Sequence, residues 1–149
     1  MLKCGPMATG KKLSKTQYEN LAAFRYALRQ FLRFSDDAAQ RAGITPQQHQ
    51  ALLAIKGFPG RDTLYVGELA ERLQLRHHSA VELIDRLEND ALVKRKPDAS
   101  DGRKVVIGLT ARGEQVLEKL SEAHRGQLRR IGPQLTRLLN ELNGIAETA

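Results

Sequence analysis

Between Ser14 and Ala42, apolar residues recur at alternating steps of three and four: Leu21, Phe24, Leu28, Phe31 and Ala38, with Ser35 in the one missing place. Arg25, Arg29, Arg33 and Arg41 lie off that stripe. The spacing predicts one long helix with a heptad-like apolar stripe, closed by Gly43. Such a stripe needs a partner helix to cover it. Thr45-Pro46-Gln47-Gln48 opens a second helix. Threonine suits the N-cap, proline the first helical position, and Gln48 completes a capping box. The helix runs through Leu52, Leu53 and Ile55 to near Gly57, with Pro59-Gly60 as the breaker.

Two shorter periodic stretches follow. Val66 to Leu73 is an amphipathic helix burying Leu69, Ala70 and Leu73, and Gln74-Leu75-Arg76 makes a tight turn. His77 to Ala91 reads as the next helix, with Ala80, Ile84, Leu87 and Ala91 inward and Leu83 beside them. Two helices joined by a short turn, the second with an exposed amino end, form a helix-turn-helix pattern. Leu92–Lys96 and Val105–Leu109 then read as strands around a tip of Pro97, Asp98, Ala99, Ser100, Asp101 and Gly102, which predicts a hairpin. Thr110 caps a helix from Ala111 to Ile131, with Leu117, Leu120, His124 and Ile131 on one stripe. Gly132-Pro133 is expected to end it, and Leu135, Leu138, Leu139 and Leu142 mark a last helix. The expected fold class is mainly α with a small β-wing. A winged helix-turn-helix module (45–110) is flanked by terminal helices (14–44 and 111–149) that form a dimerisation layer. Residues 14–149 are read as one domain, after a flexible tail at 1–13.

Composition narrows the partners. Hydrophobic residues at 41% and charged residues at 28% mark an ordinary folded chain of 149 residues. Aromatics at 5%, with no tryptophan, argue against a stacking surface for single-stranded nucleic acid. The net charge of +7 favours a polyanionic partner, but it is unevenly placed. From Arg61 to Arg112 there are ten Lys/Arg against nine Asp/Glu, whereas the tail carries Lys3, Lys11 and Lys12 without an acid. The hairpin sets Lys94, Arg95, Lys96, Arg103 and Lys104 against only Asp98 and Asp101. Placement, more than total charge, points to DNA. Cys4 is the single cysteine, which excludes an intrachain disulfide and a Cys-rich metal site. No apolar leader or 18-residue apolar run is present, so neither a signal peptide nor a transmembrane helix is indicated, and the cytoplasm is the expected compartment. Met7 reads as an alternative start that leaves residues 1–6 non-native.

The helix after the tight turn offers His77, His78, Ser79 and Glu82 outward, with Arg76 just before it. Histidine and serine can bond base edges in the major groove, and glutamate can accept from the cytosine amino group. Glu82 is equally read as the ion-pair partner of Arg86 one turn on. His77 and His78 point about 100° apart and cannot chelate one metal together. His49 and His124 stand isolated in sequence. No Ser/His/Asp grouping, P-loop or glycine-rich phosphate cradle is present, so no catalytic residue, cofactor or metal is expected. Arg103 at the hairpin tip is the residue expected to enter a minor groove, held by Asp98 or Asp101. Lys94, Arg95, Lys96 and Lys104 are candidates for phosphate contact.

The spacing Asp98-x-x-Asp101-x-Arg103, followed by Leu109-Thr110-x-x-Gly113, resembles the wing signature of the MarR family of winged-helix transcriptional regulators. Thr45-x-x-Gln48, Glu68-Leu69-Ala70 and Asp85-Arg86-Leu87-Glu88 are similar to that family's helix-turn-helix core. The resemblance runs from Gly43 to Gly113. It implies a cytoplasmic homodimer on a palindromic operator, with recognition helices in successive major grooves and Arg103 in the minor groove. It also implies a small aromatic or phenolic effector between the dimerisation layer and the winged module, with Phe34 and His49 as candidate contacts. His49 stands where many members carry an aromatic residue, Gln74 and Ala91 replace common turn glycines, and Arg76 replaces a common capping Ser or Thr. Oxidation-sensing members keep a reactive cysteine on the first helix, and Cys4 lies outside it. The expected function is an effector-responsive regulator, a repressor before an activator. A sequence-indifferent architectural DNA binder and a winged helix used for protein contacts are the alternatives.

Overall fold

Helix boundaries follow the caps written into the chain. The structure, a computed structural model, describes residues 12–144; expectations placed on residues 1–11, Cys4 and Met7 among them, lie outside the described residues. Helix α1 (Lys15–Arg41) starts at Ser14, whose hydroxyl accepts the Gln17 N–H at 3.2 Å while the Gln17 side chain accepts the Ser14 N–H at 2.8 Å. Helix α2 (Pro46–Lys56) repeats the device with Thr45 and Gln48, at 3.1 and 3.0 Å. Each reciprocal pair satisfies two backbone donors that a helix start otherwise leaves open. Gln48 is also buried, and its amide donates to Asp90 at 2.7 Å, which ties α2 to the C-cap of the later helix His77–Asn89.

Strand β1 (Thr63–Leu64) precedes helix α3 (Val66–Leu73), and Gln74 turns the chain into helix α4 (His77–Asn89). Strands β2 (Val93–Pro97) and β3 (Val105–Leu109) form the hairpin, and helix α5 (Ala111–Leu142) completes the described chain. The antiparallel sheet has the order β1-β3-β2, with Arg95 opposite Ile107 and Leu64 also opposite Ile107. β1 was not expected. Two residues are too few to show alternation, and its place at the sheet edge is set by pairing with Ile107 and Gly108. Leu52, Ile55, Leu64, Leu69, Leu83, Ile84, Leu87, Leu92 and Ile107 are fully buried where α2, α3, α4 and the sheet meet. Burying each such side chain contributes about 1.5–3 kcal/mol.

Three expectations need correction. Gly132-Pro133 does not end a helix, because α5 runs unbroken to Leu142 with Pro133 inside it. Proline removes one N–H and crowds the preceding turn. The preceding residue, however, is a glycine with no Cβ to meet the ring, and α5 is anchored on both sides of it at Leu120 and Leu138. Ala91 is not inward on α4; it lies beyond the helix, exposed, with φ +58. Leu73 is half-buried rather than core. The α1 stripe packs along α5, yet Leu21 and Leu28 remain 47% and 40% exposed and only Ala27, Ala38 and Ala39 are buried. Most of its apolar face is therefore uncovered within one chain.

At Thr110 the chain leaves the hairpin for α5. Its N–H donates to Leu92 O at 3.1 Å, its hydroxyl donates to Ala91 O at 2.6 Å, and the same hydroxyl oxygen accepts the Gly113 N–H at 3.1 Å. A Cβ at Gly113 would stand 2.1 Å from Leu92 O. Gly113→Ala is therefore expected to lower the unfolding free energy by about 2–3 kcal/mol, the scale of overpacking at a site that cannot yield. Ala91→Gly, at a left-handed position, is expected to raise it by about 0.5–1 kcal/mol. Urea titrations of both variants check the pair.

Candidate nucleic-acid interface

Two exposed features of the module are the start of α4 and the hairpin tip. Arg76 stands at the N-cap of α4 in extended conformation, and its side chain makes no capping bond. His77 and His78 are exposed and Ser79 is half-buried on the first turn, while Ala80, Leu83, Ile84 and Leu87 on the opposite face fix the helix in the core. The helix thus presents open N–H groups and polar side chains at one end, held by apolar packing further along. Among the described residues no ion pair joins Glu82 to Arg86, and both side chains are exposed.

The wing sorts its own charges. Arg103 is 93% exposed at the tip, and its Nε donates to Asp101 at 3.3 Å while its backbone N–H donates to the same oxygen at 3.1 Å. Asp101 is therefore the carboxylate beside Arg103. Asp98 turns the other way, accepting from the Tyr65 hydroxyl and from Ser100 Oγ at 3.2 Å. These hydrogen bonds, Tyr65 first, hold the Asp98 carboxyl below the usual carboxylate range and push the Tyr65 hydroxyl up. Lys94, Lys96 and Lys104 are exposed on the hairpin.

Arg95 departs from its expected place as a free phosphate cation. Its guanidinium donates to Asp85 at 2.6 Å and to Glu88 at 2.8 Å, both on α4, and its N–H donates to Glu88 at 3.2 Å. Arg95 is a strut between wing and recognition helix. That gives Asp85-x-x-Glu88 a physical reason: one turn of helix supplies two acceptors to one fork of donors.

A second cluster lies where α2 meets the terminal helices. The buried His49 ring is 4.8 Å from His124 on α5, so the two histidines that look isolated in sequence are neighbours. Phe31 and Phe34 of α1 stand edge-on to His124 at 5.8 and 5.4 Å. His124 Nδ1 donates to Leu120 O at 2.6 Å, which leaves Nε2 to accept from the Ser35 hydroxyl at 2.9 Å when the ring is neutral. His49 Nδ1 is buried without a hydrogen-bond partner. Burial, and then the charge on His124, push the His49 pKa down. Phe34 and His49 thus come together, with His124 between them as the residue that sequence reasoning left alone. Among the described residues, no group of three metal-ligating side chains exists and no helix is long and apolar enough to cross a membrane.

Tyr65, Arg61 and Phe58 were also missed. Arg61 pairs with Glu68 at 2.5 Å and lies over the Phe58 and Tyr65 rings at 4.3 and 5.3 Å. The available signal was an aromatic residue directly before a helix, where a short polar side chain is preferred.

A helix pair with a left-handed turn residue, followed by a hairpin whose inner strand joins a third short strand, is a winged helix-turn-helix. Residues 42–104, which span most of the winged module, match the model of the MarR family. The chain is 35% identical over 74 residues to the transcriptional regulator HosA of Escherichia coli, a match covering 50% of this chain and 53% of that one. It thus spans about half the length of the curated relatives it matches. Among solved structures, it is similar to AbsC, a MarR family transcriptional regulator from Streptomyces coelicolor, at 25% identity and a TM-score of 0.69, covering 93% of this chain and 97% of that one. It is likewise similar to a MepR mutant from S. aureus bound to an oligodeoxyribonucleotide, at 25% identity and a TM-score of 0.62, covering 87% and 90%.

The buried His49 sets a pH dependence. The folded protein holds it below the ordinary 6.5, so the unfolded chain takes up the proton first as pH falls. Its contribution to the unfolding free energy is level above about 6.5 and declines below it, until His49 protonates in the folded state as well. Denaturation midpoints between pH 7.5 and 5 (about that range) should show the decline, and His49→Gln should flatten it.

Proposed function

We propose that this chain is a homodimeric, effector-responsive transcriptional regulator that binds a palindromic operator in double-stranded DNA, acts as a repressor, and resides in the cytoplasm. The single observation that carries the DNA reading is the pairing of two exposed features on one module. One is the uncapped first turn of α4, and the other is the tip arginine beside Asp101. The geometry suits His77, His78 and Ser79 for major-groove edges, Glu82 for a cytosine amino group, and Arg103 for the adjacent minor groove. Arg76, Arg86, Lys94 and Lys104 supply phosphate contacts, and Asp98 and Asp101 shape the tip. The likeness to a DNA-bound MepR structure supports the same reading.

Dimerisation is supported by the uncovered apolar residues of the terminal helices. Leu21, Leu28 and Leu32 on α1 and Leu128 and Leu139 on α5 are each at least 40% exposed. A second copy of the same helices covers such a face and sets two recognition helices one operator half-site apart. For the effector, a small aromatic or phenolic molecule, Phe34 and His49 are the candidate contacts; aromatic edges and a ring nitrogen with no partner among the described residues support that choice.

Selection of bound duplexes from a random pool tests the reading. Recovery of one palindrome supports it; equal recovery of unrelated duplexes favours an architectural binder, and no recovery favours protein contacts alone. On the selected duplex, Arg103→Ala is expected to cost about 1–2 kcal/mol of binding and to relax A·T preference at the flanks. Ser79→Ala or His78→Ala is expected to change the preferred half-site. Lys94→Ala should instead weaken all duplexes alike and reduce the salt slope by roughly 0.9 per phosphate lost. Fluorescence anisotropy at several salt concentrations separates these outcomes, and release by aromatic acids tests the effector.

A further inference from the structure

Tyr65 occupies the N-cap of α3 in extended conformation, and its side chain makes no capping bond. A serine, threonine or aspartate is the stabilising choice at such a position. Here the start of α3 is closed from the other direction, by Glu68, which accepts the Tyr65 N–H at 2.9 Å. The tyrosine side chain is thereby free for other work, and its hydroxyl donates to Asp98. Its ring is approached by Arg61 at 5.3 Å and by Lys104 at 5.6 Å.

Asp98 follows directly on the last residue of β2, and its N–H makes a final rung to Lys104 O at 2.9 Å. Beyond that rung the tip bonds only to itself. Ser100 bonds Asp98, Arg103 bonds Asp101, and the Lys104 N–H bonds Asp101 O at 3.0 Å. Among the described residues, the Tyr65 hydroxyl makes the one hydrogen bond that reaches segment 98–104 from outside the hairpin. The strut made by Arg95 fixes the base of the wing to α4, but it lies three residues short of the tip.

We propose that Tyr65 is a positioning residue for groove recognition: by holding Asp98 it fixes the wing tip against the helix-turn-helix and so sets where Arg103 is presented. The inference rests on the proposed reading of Arg103 as a groove contact. Local preference at an N-cap is given up, and the side chain so released is spent on a contact across the module. Conflicts of that kind between local and global demands mark sites kept for function.

The test is a double-mutant cycle on the duplex recovered by selection, using the full chain with Tyr65→Phe, Arg103→Ala and both together. Tyr65→Phe keeps the ring and loses only the hydroxyl. It is expected to weaken binding by about 3- to 10-fold, the range of one lost hydrogen bond, and to relax preference at the operator flanks but not at the half-sites. In the Arg103→Ala background the same change should have almost no effect, because the group it positions is gone. Asp98→Ala should reproduce Tyr65→Phe. A residue that merely supports the fold would weaken binding equally in both backgrounds, and that result overturns the proposal.

Amide hydrogen exchange of the free protein supplies a readout independent of DNA. Tyr65→Phe should speed exchange at Ser100 to Lys104 while leaving the α4 core unchanged, and unaltered exchange at the tip also overturns the proposal. If the tip loosens but Arg103→Ala binds like the natural chain, the tether exists and the proposed role of Arg103 is what fails, taking with it the positioning role inferred for Tyr65.

Discussion

Between Leu92, the residue just before β2, and Gly113 on α5 the two backbones approach so closely that no side-chain carbon fits between them. The carbonyl of Leu92 stands 2.1 Å from the place a Cβ on Gly113 would take, and Thr110 adds two hydrogen bonds to the same short stretch. The end of the recognition helix, the first strand of the wing and the long carboxyl-terminal helix are all fastened there. Arg95 extends the joint, since its ion pairs make wing base and recognition helix one body. The end of α4, the wing base and the start of α5 therefore have little freedom to shift past one another.

The histidine pair sits at the other point where the module meets the terminal helices. His49 belongs to α2, whose first turn is tied through the adjacent Gln48 to Asp90, while His124, Ser35, Phe31 and Phe34 belong to the helices outside the module. A buried nitrogen without a partner is costly in an apolar setting. That cost is borne at the boundary between the two bodies rather than deep in either. A hydrogen-bonding group that pairs with the nitrogen and a proton that charges the buried ring change the energy of the contact between them in opposite directions.

Much of this was legible in the chain because the governing interactions are local. The capping box of α2, the turn after Leu73 and the Thr110-x-x-Gly113 entry to α5 each depend on residues within four of one another. What escaped depends on residues far apart. Arg95 looks like one more basic residue until the turn of α4 carrying Asp85 and Glu88 is placed beside it, and His49 and His124 are 75 positions apart in sequence. Pro133 misled for a related reason: its local cost is real, but Gly132 removes part of it and packing on either side carries the helix through. The α1 stripe was legible as apolar, but its cover was not, since Leu21 and Leu28 remain open in a single chain. Within the site, the identity of the exposed groups could be read directly, whereas the partners that aim them could not.

The first turn of α4 carries no capping side chain and leaves His77 and His78 exposed, while the helix is secured by Ala80, Leu83, Ile84, Leu87 and the ion pairs of its later turns. Stability and exposed polar surface are thus assigned to different stretches of the same helix. His77, His78 and Ser79 can be exchanged one at a time without opening a cavity or stranding a charge. Sequence in that turn is free to drift at almost no thermodynamic penalty, so copies of this module can diverge in that exposed surface long before they diverge in how they fold.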